Sequence, residues 1–306
     1  MSVIGIDTSN YTTSIAFFNG TSGENCSKLL PVKQGELGLR QSDAVFAHIK
    51  SLPELSGRLF SHVREPITAV GVSTRPRAVD GSYMPCFMVG YSHAKMLSDM
   101  LGVPLVEVSH QQGHVAASLW SADHMELMDE AHLAWHLSGG TTELLLVEPE
   151  GKNVRCTKIG GTTDISAGQL IDRTGQLLEL PFPSGKHLDA LSKNAVLKET
   201  FKVKCSNMEF SLSGVQNKVQ QFHAAHLNPD ETAAYALRCV AKAVYQATEQ
   251  ALKAYPGLRV VFSGGVASNS MLREILSPLA PVFSQPQYST DNAMGVAVLA
   301  YRAVEE

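Results

Sequence analysis

The stretch IGIDTSNYTTSIAFF (residues 4–18) is an apolar segment, a short turn rich in hydroxyl groups and a second apolar segment. The stretch WHLSGGTTELLLVE (135–148) repeats this plan in the second half of the chain. Each pattern predicts a β-hairpin whose turn presents backbone N–H groups and hydroxyls to an anion. For one hairpin alone, Gly and Thr would serve turn geometry only. Two copies in matching places predict a duplicated molecule with an anion-binding turn in each half, and Thr8 and Ser9 form the first candidate phosphate turn.

Apolar runs between turn signals predict further strands and an α/β fold. The predicted strands are VIGID (3–7), SIAFF (14–18), ITAVGVS (67–73), PLVEV (104–108), HLAWHLS (132–138), ELLLVE (143–148), RVVFSGG (259–265) and PVFSQ (281–285). Asn228 and Pro229 predict the start of a long helix over about 229–255. Strands that alternate with helices predict a largely parallel sheet covered on both sides. We expect an N-terminal half over 1–125 and a C-terminal half over 126–306, with a helical insertion at about 160–227.

Composition excludes several classes of protein. The chain has 306 residues, is 44% hydrophobic and 18% charged, and carries a net charge of −4. It can therefore bury a core, and it lacks the basic excess of a protein that grips nucleic acid by itself. Its five cysteines are dispersed without a CxxC pair, which argues against a disulfide framework and a thiolate zinc site. No apolar run reaches about 18 residues, so we expect no membrane span and a cytoplasmic protein.

A third glycine turn follows the strand in VVFSGGVASNSMLRE (260–274), where a helix is predicted to begin near Ser268. Gly264 and Gly265 leave room for a phosphate or a flat group against the backbone. Three such turns at strand ends predict a nucleotide site. Asp164 and Asp172 lie eight residues apart, on one side of a predicted helix, although a solvated helix face explains that spacing equally well.

The stretch VSHQQGHVAASLW (108–120) places two histidines four residues apart. On a helix His110 and His114 would point the same way and could hold one metal ion, although many such pairs hold none. Zinc peptidases need a general base directly after the first histidine, and Gln111 cannot serve as one. Asp291, at the start of an apolar helix, is a candidate third ligand. Two imidazoles and a carboxylate suit iron, zinc or manganese.

Eight motifs in one order resemble the tRNA N6-threonylcarbamoyladenosine transferase family, once called glycoprotease or O-sialoglycoprotein endopeptidase. These are IGIDTS, VSHxxGH, LSGGTT, AGQLIDR, PFPSGK, FSLSG, FSGGVASN and YSTDN. The resemblance implies an actin-like, hexokinase-like ATPase fold with two halves around a nucleotide cleft. It also implies transfer of threonylcarbamoyl from its adenylate to N6 of adenosine 37 in tRNA, together with a paralogous partner protein and a small ATPase.

The resemblance also implies site residues. An iron or zinc ion would lie on His110, His114 and Asp291. Contacts to ATP, ADP or threonylcarbamoyl-AMP would come from Leu137, Ser138, Gly139, Gly140, Asp172, Gly185 and Asn269. No covalent nucleophile is expected, because no Ser-His-Asp or Cys-His arrangement is visible.

Several positions depart from the family pattern. Gln112 stands where the family usually has Glu, and Thr141 replaces a histidine. The segment TRPRAVDGSYMP (74–85) replaces a glycine-proline-glycine turn and adds Arg75 and Arg77. A divergent paralogue with another acceptor is therefore one alternative to the tRNA-modifying enzyme. A non-catalytic partner of a family member and a sugar kinase of the same superfamily are others. The histidine pair and Asp291 argue against both of these, and peptidase activity is the least favoured interpretation.

Overall fold

The computed structural model describes residues 1–9, 11–31, 39–290 and 292–305. The chain divides into two compact units. Unit 1 comprises Met1–Glu130, Glu148–Cys156 and Asp291–Glu306, and unit 2 comprises Ala131–Val147 and Thr157–Thr290. The hairpin predicted at residues 4–18 begins unit 1, and the hairpin predicted at residues 135–148 begins unit 2.

The described residues form the following strands and helices. The strands are β1 (Ser2–Thr8), β2 (Thr12–Phe18), β3 (Gly23–Leu29), β4 (Ile67–Arg75), β5 (Leu105–Ser109), β6 (His132–Leu137), β7 (Thr142–Glu150), β8 (Asn153–Thr162), β9 (Cys205–Ser206), β10 (Glu209–Phe210), β11 (Val260–Ser263) and β12 (Val282–Phe283). The α-helices are α1 (Gln41–Leu59), α2 (Phe87–Leu101), α3 (His110–Ser121), α4 (Ala167–Leu177), α5 (Gly185–Ser192), α6 (Ser213–His226), α7 (Pro229–Ala254), α8 (Ser270–Leu276) and α9 (Met294–Val304). None of these helices is long and apolar enough to cross a membrane.

Unit 1 is built on a sheet with the strand order β3-β2-β1-β4-β5. Helix α9 packs on this sheet at two glycines: a Cβ added to Gly5 would lie 2.5 Å from the Ala293 carbonyl oxygen, and one added to Gly71 would lie 2.8 Å from Ala300. The same helix crosses α3 at close range, since a Cβ added to Gly295 would lie 1.8 Å from the Gly113 carbonyl oxygen. Absent side chains thus let α9 approach both β1 and α3.

Unit 2 contains most of a sheet with the order β12-β11-β6-β7-β8-β10-β9. Helix α7 is the central helix of its core and begins as the sequence predicts, with the Asn228 side chain accepting from the N–H groups of Asp230 and Glu231. The Trp135 indole is fully buried and donates to Thr248 on α7 at 2.9 Å. Because this indole is satisfied inside the core, it ties β6 to α7.

All eight predicted strands are present, but the prediction of a largely parallel sheet is wrong. Both sheets are mixed: β1 pairs antiparallel with β2, β2 with β3, and β6 with β7, whereas β1–β4 and β6–β11 are parallel. Each unit opens with antiparallel neighbours joined by short turns, and only later strands are joined through helices. Strands β3, β8, β9 and β10 are not among the predicted strands. The sequences of β3 and β8, GENCSKL and NVRCTKIGGT, are polar and mostly half-buried or exposed, and β9 and β10 have two residues each. The limits of the two halves and of the insertion stay predictions.

Candidate functional site

The histidine pair lies at the very start of α3. Strand β5 ends at Ser109, which is the N-cap: its hydroxyl accepts from the Gln112 N–H at 3.2 Å. The Gln112 side chain in turn accepts from the Ser109 N–H at 2.9 Å. This capping box makes His110 the first helical residue and places His114 one turn further along the same face.

The two imidazoles converge. Their Nε2 atoms lie 3.0 Å apart, and the ring planes are inclined by 80°. Nitrogens that share one tetrahedral ion at about 2.0–2.1 Å lie about 3.3–3.4 Å apart, so a shift of a few tenths of an ångström would let both bind one ion. Imidazole nitrogens are ligand atoms that zinc and iron both accept, and a third ligand would be needed to complete a site.

Asp7 completes this corner of unit 1, and the sequence reasoning missed it. Its carboxylate is fully buried at the end of β1. One oxygen, Oδ1, accepts from His110 Nδ1 at 2.9 Å and also from the Ser73 hydroxyl on β4. The signal that could have found it is an ionisable residue inside an otherwise apolar strand.

The third predicted ligand, Asp291, lies outside the described residues. Among the residues that the structure describes, no group of three or more His, Cys, Asp or Glu side chains is arranged to hold a metal ion. Asn292, the next residue along the chain, is buried, and its side chain accepts from the Met294 N–H at 3.0 Å at the start of α9.

Thr8 and Ser9 are buried in unit 1. The Thr8 hydroxyl donates to the Cys86 carbonyl and accepts from the Gly90 N–H, both at 3.0 Å. It therefore ties β1 to α2 in this structure. Burial, with the Asp7 charge as a second cause, raises the pKa of the Cys86 thiol to about 12, so this cysteine is a neutral thiol and not a nucleophilic thiolate.

Apart from the candidate phosphate turn at Thr8 and Ser9, the predicted nucleotide residues lie in unit 2. The turn between β6 and β7 is closed by the Ser138 N–H, which donates to the Thr141 carbonyl at 2.8 Å. Helix α4 holds this turn from one side, where the Ser166 hydroxyl donates to the Gly139 carbonyl at 2.6 Å. A Cβ added to Gly168 would lie 2.4 Å from Gly139 Cα, so the two backbones are in direct contact.

The turn after β11 touches the same strand end. Gly264 has φ +92°, and a Cβ there would lie 2.1 Å from the Leu137 carbonyl oxygen, so only glycine fits. The following helix α8 begins at Ser270 with Asn269 as its N-cap, because the Asn269 side chain accepts from the Leu272 N–H at 3.0 Å. The predicted start near Ser268 is wrong by two residues, since a 3-10 turn over Gly265–Ser268 comes first.

Two aspartates connect α4 to α5 and α5 to α8. Asp172 on α4 accepts from the Ser184 N–H at 2.9 Å and so holds the segment that precedes Gly185, and burial raises the pKa of its carboxyl. Asp189 on α5 accepts from the N–H and the hydroxyl of Ser270 at 2.9 and 2.8 Å. Sequence reasoning missed Asp189, because nothing in its local pattern points to a partner on α8.

The prediction that Asp164 shares a helix face with Asp172 is wrong. Asp164 precedes α4 and caps α6 instead, accepting from the Leu212 N–H at 2.8 Å and from the hydroxyls of Ser211 and Ser213. Burial raises the pKa of its carboxyl, but these hydrogen bonds outweigh burial and hold the pKa well below its usual value.

Open backbone marks where a ligand could approach in unit 2. Cβ atoms added to Gly139, Gly140 or Gly185 would meet no other atom within 4 Å, and one added to Gly265 would meet only a methyl group at 3.8 Å. Backbone without side chains at the ends of strands and at the start of a helix suits phosphate and ribose oxygens.

Comparisons with known proteins identify the family of this chain. Residues 40–298 match the family model for TsaD, tRNA N6-adenosine threonylcarbamoyltransferase. A protein of that name from Carboxydothermus hydrogenoformans is 34% identical over 256 residues, which are 78% of this chain and 72% of the relative. Another, from Thermosipho africanus, is 29% identical over 99% of this chain and 94% of its own length.

Solved structures show the fold. Full-length HypF in its phosphate- and nucleotide-bound form matches all of this chain with a TM-score of 0.64 at 15% identity, and the chain spans 47% of HypF. The ROK hexokinase from Thermus thermophilus matches with a TM-score of 0.55 at 16% identity, over all of this chain and 99% of its own. The predicted actin-like, hexokinase-like fold is therefore confirmed. The family model and the relatives together show that this chain, a transferase by descent, belongs to the TsaD family of tRNA N6-adenosine threonylcarbamoyltransferases.

Proposed function

We propose that this protein transfers a threonylcarbamoyl group from threonylcarbamoyl-AMP to N6 of adenosine 37 in tRNA. In this proposal one iron or zinc ion lies on His110, His114 and Asp291. The observation that carries it is the pair of imidazole Nε2 atoms 3.0 Å apart, in a chain that belongs to this family. Two converging imidazoles are unexplained in a sugar kinase or a non-catalytic scaffold, which favours an enzyme with a metal.

The donor nucleotide would bind on the glycine turns of unit 2. Gly139 and Gly140 would offer backbone N–H groups, Leu137 and Ser138 would line the same turn, and Gly264 and Gly265 would keep the space beside them free. Asp172, through Ser184, would hold Gly185 in place, and Asn269 would fix the start of α8. These contacts would orient the donor, and positioning alone can supply a large part of catalysis.

The reaction needs no covalent enzyme intermediate. The adenosine N6 amine attacks the carbamoyl carbon, a C–N bond forms, and the C–O bond to the phosphate of the mixed anhydride breaks. AMP leaves with the electron pair, and the amine loses a proton. A divalent ion bound at the histidines would supply Lewis-acid polarisation of a donor oxygen. Cys86 is a neutral thiol and is therefore not a nucleophile that could take the acyl group first.

The test is a reconstituted transfer assay. Purified protein is combined with ATP, threonine, bicarbonate, a threonylcarbamoyl-adenylate synthase, tRNA, and the paralogous partner and small ATPase that the family implies. Digested nucleosides are then analysed by mass spectrometry. We expect threonylcarbamoyladenosine with the wild type and a loss of at least about 100-fold with His110→Ala, because the ion would lose one of its ligands.

The matched control is His93→Ala, a histidine of α2 in the same unit whose ring Nδ1 bonds its own helix at the Val89 carbonyl. It should keep wild-type activity. Unmodified tRNA with the wild type, while a known family enzyme is active in the same mixture, would contradict the tRNA assignment. The paralogue with another acceptor would then become the leading proposal, and the exposed 74–85 loop and Thr141 are where its acceptor contacts should be sought.

A further inference from the structure

We propose that Asp7 is a positioning residue for the metal site: its carboxylate holds the Nδ1–H tautomer of His110 and so reserves Nε2 for the ion. This inference rests on the proposed function, because it assumes that His110 and His114 hold a metal. It adds a residue from β1, more than 100 positions away in the chain, to a site formed by the start of α3.

The Asp7 carboxylate contacts His110 at Nδ1, where it can accept a hydrogen bond from the ring. Asp7 Oδ1 lies 2.9 Å from Nδ1, on the side of the ring away from His114. The opposite nitrogen, Nε2, is the atom that faces His114 Nε2 at 3.0 Å. A carboxylate can only accept, so in a neutral His110 ring Nδ1 carries the proton and Nε2 presents its lone pair.

Asp7 is itself held rigidly. The Ser73 hydroxyl donates to the same oxygen that His110 contacts, and the side chain is fully buried beneath the pair. An aspartate in this position does not reach solvent or a large substrate, so it does not act as a catalytic group. It orients the His110 ring through Nδ1, the nitrogen that does not bind the ion. Replacing a carboxylate that orients a metal-bound histidine typically weakens metal affinity by about 10–100-fold.

The decisive variant is Asp7→Asn, which keeps the shape of the side chain. Its amide nitrogen can donate to Nδ1, which favours the tautomer with the proton on Nε2, the nitrogen that the ion needs. The measurement is the dissociation constant for Zn²⁺ by competition with a chelating dye at pH 8. We expect binding about 10–100-fold weaker than in the wild type, with an unchanged fold by circular dichroism. Equal affinity in wild type and Asp7→Asn would overturn the inference.

A second measurement does not depend on any variant of Asp7 folding. Nitrogen-15 NMR of the metal-free protein at pH 8 distinguishes the two neutral tautomers of His110, whose signals are assigned by their loss in His110→Gln. The proton should be on Nδ1. A proton on Nε2 would overturn the inference even if metal binding is strong.

Controls separate this inference from the proposed function. His48→Gln changes another buried polar side chain near Asp7, one whose Nδ1 lies 2.8 Å from the Thr13 hydroxyl, and it should leave Zn²⁺ affinity within about 3-fold. If it weakens binding as much as Asp7→Asn does, general loss of packing explains both and the inference fails. If the wild type binds no Zn²⁺ or Fe²⁺, the metal site of the proposed function fails, and the inference fails with it.

Discussion

Gln112 shows how one residue that departs from its family pattern is matched to its surroundings. Its side-chain oxygen closes the capping box of α3, and its Nε2 donates to the Val154 carbonyl at 2.7 Å. A glutamate could keep the first bond but not the second, because a carboxylate has no proton to donate. The amide thus ties the first turn of the histidine helix to the tip of the β7–β8 hairpin, which belongs to the same unit.

Restoring the usual family residue should therefore harm this protein. We expect Gln112→Glu to lower the free energy of unfolding by about 1–3 kcal/mol at pH 7, because two acceptors would face each other in a buried place. Urea denaturation measures the change. Burial beside an acceptor raises the pKa of this glutamate in the folded state, so the deficit should shrink as pH falls toward the unfolded value of about 4.3, because the acid form can donate. The exposed change Gln287→Glu adds the same charge and should stay within about 0.5 kcal/mol of wild type. A stability for Gln112→Glu equal to wild type would show that the Val154 contact contributes nothing.

At this scale the sequence could identify candidate residues but not their partners. His110 and His114 are neighbours through helix geometry alone, so their convergence follows from a spacing of four. Asp7 meets His110 only because β1, β4 and β5 lie side by side in the sheet, and Asp189 meets Ser270 only through the packing of unit 2. Long-range pairs of this kind depend on strand order and helix packing, which no local pattern encodes.

At the scale of elements, Asp164 is an external cap for α6. The N-cap residue of this helix is Leu212, whose apolar side chain cannot accept a hydrogen bond from the first N–H groups. Asp164 accepts from the N–H groups of Leu212 and Ser213 instead. A negative charge at this end of the helix also opposes the positive end of the helix dipole.

Removing this cap should destabilise unit 2 in a pH-dependent way. We expect Asp164→Ala to cost about 0.5–2 kcal/mol at pH 7. Because the pKa of Asp164 is lower in the folded than in the unfolded state, its contribution is complete above the unfolded value of about 3.9 and is lost as pH falls through the folded value. Thermal unfolding at pH 7 and pH 3 tests this. The difference in melting temperature between wild type and Asp164→Ala should be smaller at pH 3 than at pH 7. Asp80→Ala, in the exposed 74–85 loop, should melt at the wild-type temperature at both pH values. A gap that is equal at both pH values would mean that the charge is irrelevant.

The elements themselves were the most predictable part of the molecule. Apolar strands such as β1, β4 and β11 are recognisable from composition, and the Asn-Pro start of α7 follows from capping chemistry. Strand β3 could not be recognised because it lies at a sheet edge and needs no apolar face. The predicted start of α8 differs from the observed start because Gly264 and the 3-10 turn after it adopt a backbone geometry that no local sequence pattern specifies.

For the whole molecule, binding of a nucleotide should be visible as a gain in stability. A ligand at 100 times its dissociation constant stabilises the native state by about 2.7 kcal/mol. We expect excess ADP to raise the melting temperature of the wild type. In Gly140→Ala the free protein should melt normally, because the new methyl group meets no atom within 4 Å, but the shift with ADP should be lost or greatly reduced.

The control is Gly57→Ala, a glycine of α1 in unit 1 with open space around an added Cβ. It belongs to none of the predicted nucleotide turns and should keep the full shift with ADP. If Gly140→Ala retains the wild-type shift while differential scanning fluorimetry resolves it clearly, the nucleotide does not approach the β6–β7 turn.

The position of α9 in the chain has a consequence for how this protein is made. Helix α9 covers Gly5 and Gly71 of the first sheet and crosses α3 at Gly113. Residues 131–290 lie between α3 and α9 in the chain, so they are synthesised before α9. A nascent chain emerging from the ribosome must therefore hold an uncovered apolar sheet face while the second unit, nearly continuous in sequence, folds around α7. During that interval the incomplete first unit exposes this sheet face to chaperones, to proteases and to wrong pairing with other chains.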